Sequence, residues 1–512
     1  MTRLFIGYKP GVGGAVKVMR DNGDSPLATP NTNYGRFRFN SETGKTAYIK
    51  RFQPIGFDSS VGENSYKFYP SGTDKSNCYW AVWRDITLEQ IEMVPGRMIG
   101  RSYPVICEAR PYVPLGTKIR GPRVLYISDG TGGGNYVGHN IGIPASWMRL
   151  RDNGFAIGGS SSRAIVADIV PSPTSNDSWF DDDGDVLMSI IDLPADNDPI
   201  PGPSAGAPGS RNTIVRPTLV RIGVGGVNVD GGGDNILVDS TRIPVKIVRA
   251  GQVSVAAGGS TTITSPVTLT NKTFMDYMVW AGGTCTVPQA ISGANVEGQN
   301  YDMAYTIYAD RVVIHNDGTN TLNIRYMICM DDDRAATSGG DIVMRTLPGG
   351  HIQMKVPGSS DTSPGPKDIL LDTRFAYLPI VAEGYLSYTE FTESPTSLAY
   401  GSAAKTINFP NDGSYVPFLK YYVKRNGNTI TQPWAKVIRT DAPGPIARAW
   451  DNRASRDSTV AVVTNTSVKF HIARDNPYEL NIDGNGNVEA DNSNTDRVEG
   501  IRYYVFGIPT SL

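Results

Sequence analysis

A short pattern recurs three times along this chain, and it restricts the possible folds more than any single residue does. Near the start, Gly13-Gly14 leads into Val16-Lys17-Val18. In the middle, Gly225-Gly226 leads into Val227-Asn228-Val229, and later Gly349-Gly350 leads into Ile352-Gln353-Met354-Lys355-Val356. Each time a glycine turn feeds a period-2 segment, which puts successive side chains on opposite faces of a strand. A second block follows the second and third copies. Asn235-Ile236-Leu237-Val238-Asp239-Ser240-Thr241-Arg242 matches Asp368-Ile369-Leu370-Leu371-Asp372-Thr373-Arg374, and the first copy offers the looser Arg36-Phe37-Arg38-Phe39-Asn40-Ser41. Asp and Ser end such strands in turns, because their side chains bond nearby backbone N–H groups.

Further strands are expected at Val245-Lys246-Ile247-Val248 and Leu378-Pro379-Ile380-Val381, followed by Gly251 and Gly384. The copies close alike: Ile324-Arg325-Tyr326-Met327-Ile328 in the second, Ile501-Arg502-Tyr503-Tyr504-Val505-Phe506 in the third, and Val186-Leu187-Met188-Ser189-Ile190-Ile191 in the first. The intervals between copies are unequal, which excludes a solenoid of fixed period and favours β-sandwiches with loop insertions. A length of 512 residues exceeds one core and suggests about three domains. The 56 Gly and 35 Pro, above the usual shares of about 7% and 5%, punctuate many short elements.

The expected fold is therefore all-β: three consecutive β-sandwich-like domains with irregular loop insertions and very little helix. The first spans 1–193 and carries a long insertion and one short helix. A Pro/Gly linker covers 194–217, the second domain 218–332, a shorter linker 333–344, and the C-terminal domain 345–512. The helix is expected over Thr87–Met93, with Thr87 as N-cap, Gln90 three residues on, and Pro95-Gly96 as the stop.

Charge is balanced, 48 basic residues against 50 acidic. That argues against a dedicated nucleic-acid surface, which needs a basic footprint. No segment has the ~20 apolar residues of a membrane helix. Met1 to Pro10 shows no apolar signal core, so synthesis in a cytosol is expected. Four cysteines, Cys78, Cys107, Cys285 and Cys329, are too few for a disulfide scaffold and form no CxxC pair. They read as buried thiols.

Candidate chemistry is sparse. Gly44-Lys45-Thr46 ends like a phosphate-binding loop, but Phe39 stands where that loop needs glycine, so a hairpin turn is the better reading. Asp181, Asp183 and Asp185 cluster in a Gly-containing loop and offer hard oxygen ligands to Ca²⁺. Asp483-Gly484-Asn485-Gly486-Asn487-Val488-Glu489 alternates oxygen donors, yet reads equally as an Asn-Gly hairpin. His315 and His471 both follow alternating strands, and His139-Asn140 repeats the text of His315-Asn316. Residues duplicated across repeats serve the fold more simply than catalysis. The same holds for Asp239 and Asp372, so no catalytic residue and no cofactor are expected. Aromatic side chains are the larger resource: Trp80, Trp83, Tyr421 and Tyr422 are the expected contacts for a glycan or a partner.

The closing Ile-Arg-Tyr-Tyr-Val-Phe strand, the Gly-Gly opener and the varied β repeats resemble small structural domains of tailed-bacteriophage virion proteins. The resemblance implies a structural part of a tail, baseplate, collar or fibre attachment, acting by domain docking in a symmetric assembly. It implies partners that are other copies of the chain and other virion proteins, no nucleic acid, no membrane insertion, and a place in the virion after synthesis in the host cytoplasm. The alternative from a different class is a carbohydrate-binding, adhesin-like protein that stacks Tyr and Trp faces on a host surface glycan.

Overall fold

The computed structural model describes residues 3–9, 13–42, 48–56, 65–69, 80–85, 90–95, 105–111, 113–120, 124–128, 135–140, 148–149, 185–192, 211–224, 227–231, 236–287, 303–330, 335–397, 400–425, 429–431, 435–440, 453–454, 459–473, 479–482, 488–491, 498–510 and 512. Those residues form an all-β protein of several antiparallel sheets, with helix limited to short 3-10 turns such as Tyr34–Arg36 and Tyr388–Glu390.

Each repeat opens with a three-stranded meander. The first runs through Leu4–Lys9, Gly13–Met19 and Phe37–Asn40; the second through Thr213–Arg216, Leu219–Gly223 and Ile236–Asp239; the third through Met344–Leu347, His351–Lys355 and Ile369–Asp372. Their registers superimpose residue by residue. Lys17 faces Asn40, Arg221 faces Asp239, and Gln353 faces Asp372. One step on, each ladder carries the same bulge, whose extra residue is Arg38, Leu237 or Leu370. Just past the third strand, the hydroxyls of Ser41, Ser240 and Thr373 accept hydrogen bonds from the backbone N–H of Val16, Val220 and Ile352 at 2.8, 3.1 and 3.0 Å.

The register corrects one expectation. In the second repeat, Val227-Asn228-Val229 is not the strand; Leu219–Gly223 takes that place, and Gly225-Gly226 lies outside the described residues. In the third repeat the Gly-Gly opener holds: Gly349 and Gly350 have φ of 81° and 75°, a backbone region that side chains avoid.

The three meanders share one core. Val16, Val18 and Phe39 of the first meet Val220, Ile222 and Val238 of the second and Met354, Leu370 and Leu371 of the third. Each such buried aliphatic or aromatic side chain stabilises by about 1.5–3 kcal/mol. A side-chain amide seals the junction, since Asn212 donates to the carbonyl of Gly14.

A two-sheet unit follows the second and third meanders, in line with the expected sandwiches. In the second repeat, Phe274–Trp280, Leu322–Cys329 and Lys246–Val255 form one sheet, and Ser260–Thr264, Arg311–Asn316 and Met303–Ile307 form the other. The third repeat has the same connectivity, with Tyr415–Arg425, Val498–Pro509 and Ile380–Ser387 facing Ala403–Asn408, Ser467–Ile472 and Thr459–Val463. In the first repeat, Val105–Pro111, Asp185–Asp192 and Tyr48–Gly56 occupy the corresponding places of the larger sheet. The closing strands read from sequence thus become the central strand of each larger sheet. Gly251 lies opposite Tyr326, and Gly384 opposite Tyr503. A Cβ at either glycine would meet the tyrosine hydroxyl, at 2.9 and 2.6 Å, so each ring lies over a bare stretch of backbone.

The helix expected at Thr87–Met93 is absent. Gln90–Pro95 is a strand paired with Trp80–Asp85. Gln-Ile-Glu-Met-Val alternates polar and apolar residues, and that period wins once a neighbouring strand is present to pair with it.

Candidate functional site

The sheets do not end at the repeat boundaries. Each repeat receives a strand from another repeat. Lys118–Arg120 of the first repeat pairs with Met303–Ile307 of the second. Cys285–Val287 of the second pairs with Thr459–Val463 of the third. Ala435–Thr440 of the third pairs with Asn135–Asn140 of the first. The donation runs first to second, second to third and third to first, and so closes on itself.

The larger sheets are linked in the opposite sense. Ile243–Pro244 of the second repeat pairs with Tyr48 and Ile49 of the first, and Ala376–Tyr377 of the third pairs with Lys246 and Ile247 of the second. The first and third repeats meet where Gly35 donates to the Ser414 hydroxyl at 2.9 Å. A head-to-tail contact that closes into a ring leaves none of the joining edges bare.

Two of the donated strands are seated by described side chains. Ile119, 3% exposed, enters the core of the second sandwich with Tyr305 and Ile307. Lys118 makes an ion pair with Asp317 at 2.6 Å. Cys285 and Val287 enter the core of the third sandwich, where Val287 accepts from the Tyr421 hydroxyl at 2.8 Å. The same hydroxyl lies 3.1 Å from the Thr459 carbonyl on the receiving strand, so its one proton serves either side of the seam. Burial pushes the Tyr421 phenol and the Cys285 thiol up, so both stay protonated.

The seam between the second and third repeats is also charged. Every residue of Phe274–Trp280 is buried. Met275, Tyr277 and Val279 face their own sandwich, whereas Phe274, Met278 and Trp280 join the core of the third. Among them Asp276, 3% exposed at its side chain, pairs with Lys420 of the third repeat at 2.6 Å. Arg325 stacks over the Trp280 ring, 3.2 Å from its centroid, and donates to Asn465 of the third repeat at 2.9 Å.

The expected site residues fall differently. Tyr421 and Tyr422 are core residues at 2% and 3% exposure, so neither offers a face to a glycan; what Tyr421 contacts is a strand of its own chain. Trp80 and Trp83 lie in the Trp80–Asp85 strand at register positions opposite Tyr69 and Tyr66. Asp181 and Asp183 lie outside the described residues, and Asp185 begins the Asp185–Asp192 strand. The turn from Asp483 to Asn487 also lies outside them. Among the described residues, no group of three His, Cys, Asp or Glu side chains gathers to hold a metal ion.

The duplicated polar residues serve the backbone. Asp239 accepts from the Thr241 N–H and from Arg221, and Asp372 accepts from the Arg374 N–H and from Gln353. His315 and His471 hold the same place on corresponding strands, opposite Ala304 and Val460. His471 Nε2 accepts from the Thr396 N–H at 3.1 Å, which leaves Nδ1 to donate to the Val460 carbonyl at 3.2 Å. Burial holds this imidazole neutral, with its pKa lowered to about 4.

The donated strands escaped the sequence reading. Nothing local to these strands says that the partner of each lies in another repeat. No family model matches the chain, and neither does any curated protein or solved structure.

Proposed function

We propose that this chain is a structural component of a tailed-phage virion, a tail, baseplate, collar or fibre-attachment part that works by holding shape within a symmetric assembly. The closed exchange of strands among three repeats carries this reading. It joins sheets covalently continuous in one chain into a unit whose parts cannot separate without breaking backbone ladders, which suits a part that bears load. The repeated residues are spent on turns, bulges and cores rather than on a reactive constellation, which also supports a structural role. The partners on this reading are other virion proteins and further copies of the chain.

Labelling of intact phage particles with an antibody against the chain, read by electron microscopy, tests the proposal. Label at fixed, symmetric positions on the particle is the expected result. Particles that carry none of the chain, purified from cells that express it, would overturn it.

A further inference from the structure

The strand position that Lys17 shares with Arg221 and Gln353 holds a primary amine only in the first repeat. Val16 and Val18 enter the shared core, so Lys17 lies on the other face of its strand. There its side chain is fully buried, with Nζ 5.3 Å from the centre of the Phe37 ring. A sealed amine needs acceptors, and two are at hand. Nζ donates to Asn31 Oδ1 at 2.9 Å and lies 2.6 Å from Glu42 Oε1.

The Asn31 amide is held in one orientation. Its Oδ1 also accepts from Asn40 Nδ2 at 3.1 Å, while its Nδ2 donates to Glu42 Oε2 at 2.9 Å. Two donors at one end and a carboxylate at the other fix which atom is oxygen. Asn40 is held in turn, its Oδ1 accepting from the Glu42 N–H at 3.0 Å. One carboxyl group thus touches both the amine and the amide nitrogen, and a separate donor polarises the amide carbonyl. Burial lowers the Lys17 pKa against the pull of Glu42, and the nearby Lys9 adds to the lowering. Both effects favour the neutral, nucleophilic amine.

We propose that Lys17 and Asn31 join in an intramolecular isopeptide bond made by the chain itself, with Glu42 carrying the protons. Lys17 Nζ passes a proton to Glu42 and attacks Asn31 Cγ, forming the Nζ–Cγ bond. The charge that develops on Oδ1 is held by Asn40 Nδ2. Glu42 protonates Nδ2, the Cγ–Nδ2 bond breaks, and ammonia departs. A second proton moves from Nζ through Glu42 to the ammonia, which leaves as ammonium. Lysine ammonium and asparagine amide become a secondary amide and ammonium, and Glu42 returns to its carboxylate. The bond needs no partner and does not depend on the virion reading. Lys355, also fully buried, lacks this arrangement: it donates to Asp361 and to the Ser359 and Ser360 carbonyls, with no side-chain amide among them.

Intact-mass measurement of the full chain, followed by proteolysis and tandem mass spectrometry, tests this. The parent chain should weigh less than its sequence by one ammonia and yield a branched peptide joining Lys17 to Asn31. Glu42→Gln, which keeps the shape but carries no proton, should form the bond at least about 100-fold more slowly. Lys17→Arg and Asn31→Ala should never form it. Because the bond closes a loop and stabilises the fold in its own right, Lys17→Met and its parent are compared before the bond has formed. A folded parent chain that keeps its full mass on long incubation and gives no branched peptide would overturn the proposal. So would a Glu42→Gln chain that forms the bond at the parent rate.

Discussion

The shared core of the meanders and the seam between the second and third sandwiches solve the same problem with different chemistry. Three meanders meet through matched apolar positions, and their registers and bulges are interchangeable. Their polar neighbours differ in kind, Lys17 with Glu42, Arg221 with Asp239 and Gln353 with Asp372, but each pair stays within its own meander. At the seam the polar pair crosses, joining Asp276 of one repeat to Lys420 of the next. A chain of three similar units must keep them in order, and apolar shape alone does not tell one from another. A buried charge pair does, because a wrong partner strands an unpaired ion.

The largest expected effect follows from that difference. Lys420→Met leaves Asp276 buried without its cation and should cost about 3–5 kcal/mol, while Asp276→Leu with Lys420→Met should recover most of the loss. Urea unfolding of both variants measures this. If the double variant is no better than the single one, the pair is not what distinguishes the seam.

Next in size is the response to acid. His471 is neutral in the fold, with a pKa near 4 against an ordinary value of 6.5. The unfolded chain therefore binds the extra proton first as pH falls, and stability declines from about pH 6.5 down to about pH 4. The full contribution is about 3 kcal/mol from this one group. His315, at the matching position, is also lowered by burial and should add in the same direction. A His471→Gln chain, which cannot titrate there, should show a flatter stability profile across that window.

The meander pair should be more forgiving. Lys17 is fully buried against Glu42 at 2.6 Å, but Glu42 also holds Lys9 at 2.9 Å and accepts from Asn31 at 2.9 Å. Lys17→Met therefore leaves its carboxylate satisfied and should cost about 2 kcal/mol, less than Lys420→Met. Equal losses in urea unfolding would erase the distinction between the two regions.

How much of this was legible in sequence depends on whether the cause was local. The block ending in Asp239-Ser240 and Asp372-Thr373 marked the third strand of the meander correctly, because its carboxylate and hydroxyl bond within a few residues or to the adjacent strand. The closing strands showed themselves through Ile324-Arg325-Tyr326 and Ile501-Arg502-Tyr503, since a central strand needs one residue pattern wherever it sits. Gly225-Gly226 points to the wrong strand, because a Gly-Gly pair following a strand reads in sequence like one preceding it, and the core positions of Val220 and Ile222 fix the register. Tyr421-Tyr422 puts an aromatic ring on each face of a strand, and sequence alone leaves open whether a neighbouring domain covers the second face or a glycan does; the structure buries both rings. The donated strands had no local signature at all.

The smallest effect is the most local. Tyr421→Phe keeps the ring in its edge contact with Phe470, 5.3 Å between centroids, and removes only the hydroxyl that reaches Val287 and Thr459. About 1 kcal/mol should be lost, the worth of one hydrogen bond. That loss should concentrate in Cys285–Val287, which is held to the third repeat by three residue pairs. Hydrogen exchange at its amides should quicken while the meander amides, such as Val18 and Met354, keep their rates. Equal acceleration in both regions would mean that the donated strand opens only when the whole chain does. Seam and shared core would then be one cooperative unit.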